Sequence, residues 1–161
     1  MLRLSAKGQY GVRAMYEITR GYPDRPVTIK EISDRQDVSA PYLEQILNKL
    51  RKAGLIRSVK GPGGGYLLSK PPEKISIAAI VSELEGPVAI TSCLNPEEGC
   101  ARVDNCVTRL LWKSLGEQIE AFLETISLEK LKAWELKKVK EGNKLRVMGY
   151  RKKNAHLVNS P

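Results

Sequence analysis

Cys93, Cys100 and Cys106 are the only cysteines in the 161-residue chain, and all lie within residues 93–106. An odd number of thiols argues against a purely structural disulfide framework. The intervening runs hold Pro96 and Gly99, which suit a segment folding three sulfurs around one centre. Thiolates are soft ligands that select iron–sulfur clusters, zinc or Cu(I). Structural zinc sites use paired cysteines two to four residues apart, so the wider spacing disfavours zinc. A third chemistry is a thiol switch, through a Cys93–Cys100 or Cys100–Cys106 bond formed on oxidation. The single histidine, His156, sits in a basic C-terminal stretch and reads as solvated. No Ser/His/Asp or Cys/His pair is available for nucleophilic catalysis, so an enzyme is not expected.

Two helices flank these thiols. A short one is predicted over 76–84, with Ile77, Ile80, Val81 and Leu84 for burial and Gly86-Pro87 to end it. A long one is expected from about Cys106 to Ile126. Its apolar stripe, Leu111, Leu115, Ile119, Phe122 and Ile126, with Leu110 and Leu123 beside it, exceeds what so small a domain needs internally. Pairing with a second copy is the expected use. A further short helix is expected over 128–140.

The N-terminal half predicts the reader. Helical spacing of Tyr10, Ala14 and Ile18, with Val12 and Met15, is broken by Gly21-Tyr-Pro23. Thr28-Ile-Lys-Glu31 reads as a capping box opening a helix to about Arg35. Ser39 is the expected N-cap of a third helix, with Pro41 in its first turn. Leu43, Ile46, Leu47 and Leu50 form its apolar face, and Gly54 ends it. Two short strands, 55–60 and 66–70, follow around Gly61-Pro62-Gly63-Gly64-Gly65. A glycine hairpin directly after a helix-turn-helix is the wing of a winged helix. The phosphate-loop alternative fails, since no Lys-Ser/Thr closes the glycine run. The fold class is therefore mainly α with a small β-hairpin wing: a winged helix-turn-helix domain plus a long dimerisation helix.

If the third helix enters the major groove, its outward residues are Ser39, Ala40, Tyr42, Glu44, Gln45, Asn48, Lys49 and Lys52. Gln45 can pair bidentately with adenine and Glu44 can accept from cytosine N4. Lys49, Arg51, Lys52 and Lys60 suit phosphates, and Lys60 also suits a narrow minor groove. Gly61 and Gly63 allow close backbone approach. Charge agrees: residues 1–75 carry 14 Lys/Arg against 7 Asp/Glu, residues 76–127 carry 3 against 8, and residues 128–161 carry 10 against 3. A basic reader of double-stranded DNA is expected. No apolar run approaches the ~20 residues needed to cross a bilayer, so no membrane partner is expected. Free thiols without a leader-like N-terminus suit a reducing cytosol.

Taken together, Arg3-Leu-Ser-Ala-Lys-Gly-Gln-Tyr10, Ser39-Ala-Pro-Tyr-Leu-Glu-Gln45, Leu50-Arg-Lys-Ala-Gly-Leu-Ile56, Lys60-Gly-Pro-Gly-Gly-Gly-Tyr-Leu-Leu68 and the cysteine triplet resemble the iron–sulfur cluster regulators among the Rrf-type bacterial transcription factors. The resemblance covers about residues 2–131. It implies a homodimer on palindromic promoter sites, with one cluster per subunit, [2Fe–2S] with [4Fe–4S] as the alternative, whose occupancy sets promoter choice. It also implies that Glu44 helps discriminate classes of site and that iron–sulfur assembly genes are the targets. The chain is expected to divide into a winged-helix domain (1–88), a cluster-binding segment (89–106), a dimerisation helix (107–131) and a basic tail (132–161) that matches nothing in the family and, poor in core residues from Glu141 on, is expected to be disordered. The resemblance itself bears on the cluster ligands. It places a fourth ligand, histidine, where this chain has Arg109, and the acidic ligand of other relatives corresponds to Gln9. Asp104, Glu97 and Glu98 are the remaining protein candidates beside Cys93, Cys100 and Cys106, with a small thiol or water as the alternative. Arg109 itself is charged and is no iron ligand; electrostatic stabilisation of an anionic cluster is the role left to it.

Overall fold

The computed structural model describes residues 4–94, 100, 102–103 and 105–147. Helix α1 (Ala6–Thr19) begins at Ser5, whose hydroxyl accepts from the Gly8 N–H. Helix α2 (Ile29–Gln36) carries the expected capping box: Thr28 Oγ1 accepts from Glu31 N–H, and Glu31 returns to Thr28 N–H at 2.9 Å. Helix α3 spans Ala40–Lys52. The wing strands are β1 (Ile56–Val59) and β2 (Gly65–Leu68), antiparallel with Ile56 opposite Leu68 and Val59 opposite Gly65. A single 3-10 turn at Pro72–Lys74 leads into α4 (Ile77–Glu85), capped by Ser76. Helix α5 spans Val107–Glu124 and α6 spans Leu128–Val147.

One core joins these elements. Ala14, Met15 and Ile18 of α1, Ile32 of α2, all four predicted apolar residues of α3, and Ile80 of α4 are fully buried. Gly11 makes the α1–α4 contact close, because a Cβ there would lie 2.0 Å from Leu84 Cδ1. Larger residues would force the helices apart. Val27 adds a bridge to the wing that no strand pattern announced, exchanging hydrogen bonds with Tyr66 at 2.9 and 2.8 Å.

Two expectations for the C-terminal half need correction. The dimerisation segment assigned to 107–131 is not a single helix: α5 ends at Glu124, close to the expected end near Ile126, and Thr125–Ser127 is a joint before the second helix. Burial of Ile126 and Leu128 explains the break. The Ile126 carbonyl accepts from Ile77 N–H at 2.7 Å, and Leu128 N–H donates to the Ile75 carbonyl at 3.0 Å. Backbone groups spent on a neighbouring segment cannot continue a helical ladder. The second correction concerns the tail assigned to 132–161: the helix expected over 128–140 is present and runs on through residues 141–147 as α6. Glu135 fastens that helix to α1 by accepting from Tyr16 Oη at 2.6 Å and pairing with Arg20. The rest of the tail lies outside the described residues, as does His156.

Candidate DNA interface and cysteine centre

Burial of Leu43, Ile46, Leu47 and Leu50 fixes the rotation of α3, so Ser39, Glu44, Gln45, Asn48, Lys49 and Lys52 are exposed together on its other side. Ser39 occupies the N-cap position without making a side-chain cap bond, which leaves its hydroxyl available. Arg51 donates to Asn48 Oδ1 at 2.9 Å. Tyr42 differs from its expected outward pose. It is half-buried and meets Tyr10 edge-to-face, with ring centroids 6.1 Å apart, while Arg13 lies over Tyr10. The aromatic ring gains more by packing on α1 than by facing water.

The wing turn exposes Lys60, Gly61 and Gly63. Gly61 and Gly63 have φ of 99° and 73°, a region costly for other residues. Arg57 on β1 is also exposed, a basic wing residue that the motif-based reading passed over; its place in a strand beside the glycine turn was the available signal. Another unanticipated group is Glu17, 3 % exposed, which accepts from Arg35 at 2.9 Å and Gln36 at 2.7 Å. These bonds tie α1 to the end of α2, setting the scaffold on which α3 stands.

The cysteine segment is anchored on both sides by α5. Val88 N–H donates to Glu120 at 3.1 Å, and Gly116 admits the Val88 carbonyl, which a Cβ would meet at 3.0 Å. Cys93 lies in a single 3-10 turn, Ser92–Leu94, with Sγ 3.1 Å from Thr91 Oγ1. Cys100 is exposed, Cys106 is the N-cap of α5, and all three thiols are free. Cys106 Sγ lies 3.2 Å from Thr108 Oγ1. That hydroxyl first, and the Arg109 N–H second, hold the Cys106 thiol below its ordinary pKa. A thiolate is the ligand-competent form.

Among the described residues, no three His, Cys, Asp or Glu side chains already stand together as a metal site. The candidate carboxylates Glu97, Glu98 and Asp104 lie outside the described residues. The donor chemistry nonetheless fits a sulfur-liganded cluster: three free thiols on one segment, one of them biased towards thiolate. Arg109 supplies a further observation. Its Nε is the only buried side-chain nitrogen or oxygen without a partner among the described residues. It lines a cavity of about 280 Å³ with Val103, Asn105, Cys106, Val107 and Leu110. Gln9 is engaged elsewhere, donating to the Leu4 carbonyl at 2.9 Å.

On α5 the predicted stripe is split by packing. Ile119 and Leu123 are half-buried against the domain, whereas Val107, Leu110, Leu111, Leu115 and Phe122 are exposed. Among the described residues, no helix is long and apolar enough to cross a membrane.

Comparison with known proteins identifies the family. The model of the Rrf2 family, described as iron-dependent transcriptional regulator, matches residues 4–133. The HTH-type transcriptional regulator IscR of Yersinia enterocolitica is 44% identical over 130 residues, covering 81% of this chain and 79% of that protein. The same regulator of Xenorhabdus nematophila is 45% identical over equal shares. Among solved structures, CymR, the global cysteine regulator of B. subtilis, superposes with a TM-score of 0.70 at 34% identity, over 83% of this chain and 98% of that one. T. potens IscR gives 0.69 at 37% identity, over 88% and 90%. These relatives are DNA-binding regulators and not enzymes. The chain belongs to the Rrf2 family of iron-dependent transcriptional regulators.

Proposed function

We propose that this regulator works as a cytoplasmic homodimer on palindromic promoter sites, with its grip set by an iron–sulfur cluster. Cys93, Cys100 and Cys106 hold the cluster, [2Fe–2S] with [4Fe–4S] as the alternative, and a carboxylate from Asp104, Glu97 or Glu98 completes it. The targets are genes of iron–sulfur assembly. The observation that carries the reading is the position of Cys106. It caps the same helix whose next turns expose Leu110, Leu111 and Leu115. A ligand at that cap is therefore covalently continuous with the apolar face through which two copies would pair. When bound, a cluster supplies an anionic, redox-active centre whose potential follows charge and hydrogen bonding at its sulfurs. The protein's own contribution is to orient three thiols and to present Glu44, Gln45 and the wing lysine at a spacing fixed by the dimer. IscR relatives support the regulator class and lend the cluster its context.

Anaerobic purification with iron and acid-labile sulfide quantitation tests this. A coloured protein holding both, whose promoter affinity changes when all three cysteines become serine, is expected. Intact thiols with no iron, and unchanged affinity in the triple variant, would falsify the reading. The lowered Cys106 pKa favours one second reading, a thiol-oxidation switch. Alkylation trapping with and without peroxide separates the two, since a switch forms a Cys93–Cys100 or Cys100–Cys106 bond without iron.

A further inference from the structure

We infer that Arg109 donates a hydrogen bond from Nε to a sulfur of the cluster and thereby favours its reduced form, without being one of its ligands. The inference rests on the cluster reading above. A buried N–H with no acceptor is rare in folded proteins and calls for a partner. Arg109 Nε is such a group, and it lies in the cavity that Cys106 also lines. Cys106 and Arg109 stand three residues apart at the start of α5, where Arg109 N–H donates to the Cys106 carbonyl at 3.1 Å. Cys106 is the N-cap and Arg109 lies in the first turn, and both line the same cavity. Val103, Val107 and Leu110 offer the guanidinium no side-chain acceptor, and the polar side chains besides Arg109 in that lining are Asn105 and Cys106, neither of them bonded to Nε.

Chemistry decides between ligand and donor. Guanidinium has five N–H donors and no acceptor, and it stays protonated. It cannot give an electron pair to iron, but it can give an N–H to a bridging sulfide or a thiolate. Thiolates and sulfides make the centre anionic, and one-electron reduction adds a further negative charge. A fixed cation with a hydrogen bond stabilises the more negative state, which raises the potential. The electron goes to iron from an added one-electron donor, such as dithionite, and no bond breaks.

The test uses the full chain, reconstituted without oxygen from ferrous iron and sulfide. Iron and sulfide content, redox titration by visible absorbance and far-ultraviolet circular dichroism are measured for wild type, R109K, R109Q and R109A. Equal loading in all four is expected. R109Q and R109A should favour the oxidised form at least tenfold more than wild type, about 59 mV towards negative potential for one electron. R109K, which keeps the charge without the planar fork, should fall between. Full loading with wild-type potential in R109Q and R109A overturns the Arg109 role and leaves the cluster reading standing. Loss of loading in folded R109Q and R109K also overturns it, because Arg109 would then be needed for assembly. An empty wild-type protein removes both proposals. Should R109A fail to fold, R109K and R109Q still decide.

Discussion

Tyr16 of α1 donates its phenolic hydrogen to Glu135 of α6 at 2.6 Å, across a separation of 119 residues. Burial first, and the Glu135 carboxylate second, push the Tyr16 pKa up to about 12. Alkaline spectrophotometric titration should therefore show one of the chain's six tyrosines ionising last, and Y16F should abolish that late step. Glu135→Gln should lower the step only in part, because burial remains. A folded-state pKa above the unfolded one favours the protonated phenol. Stability from this contact is then complete below about pH 10 and is lost as pH rises towards 12. A full return to the ordinary tyrosine value in E135Q would show that burial contributes nothing.

The capping box of α2 offers an opposite pH signature. Thr28 N–H, more than the Arg25 guanidinium, holds the Glu31 carboxyl below its ordinary pKa. Stability from that carboxylate is present above the ordinary carboxylate range and falls away as pH drops through the depressed value. Denaturant melts of wild type and E31Q should differ at neutral pH and converge in acid. Thr28→Ala, which removes the reciprocal bond, should cost about 0.5–2 kcal/mol. A constant gap between wild type and E31Q down to acid pH would remove the ionic account.

At the DNA face the two residue types predict different losses. Gln45→Ala should weaken a cognate promoter by ~1–3 kcal/mol and leave random DNA nearly unchanged. Lys49→Ala and Lys60→Ala should weaken both and reduce the salt slope by about one unit each. Binding titrations on both DNAs at several salt concentrations give the comparison. Equal losses for Q45A on the two DNAs would contradict base reading.

Leu111 and Phe122 are 58% and 60% exposed on α5. Replacing both with glutamate should leave the winged helix folded, because neither contributes to its core. Sedimentation should then report half the wild-type mass, with promoter affinity lost alongside. An unchanged mass would move the subunit interface off this helix.

The reader half of the protein was largely legible from residues alone. Thr28 and Glu31 cap at three-residue spacing, the α3 leucines repeat at helical period, and Gly61 and Gly63 take a backbone shape that few other residues tolerate. Each signal depends on neighbours within one or two turns. The packing of Tyr42 on Tyr10 was not legible, because it depends on what α1 places beside α3. Val27, a lone residue, formed a strand pair only because Tyr66 is brought to it. Arg109 stood out first through its chemical unsuitability as an iron ligand; its unpartnered Nε became visible only in the folded protein.

By itself, the order of amino acids determined the winged-helix fold and the polar face of α3 and gathered three thiols, Cys93, Cys100 and Cys106, in one short segment, because residue type and short-range periodicity suffice for these. Tertiary structure decided how α5 and α6 are joined at Thr125–Ser127, that α6 runs on beyond residue 140, and which atoms of Tyr16, Glu17 and Glu135 meet. Those outcomes depend on burying Ile126 and Leu128 and on finding hydrogen-bond partners distant in sequence, and packing alone brings such groups together.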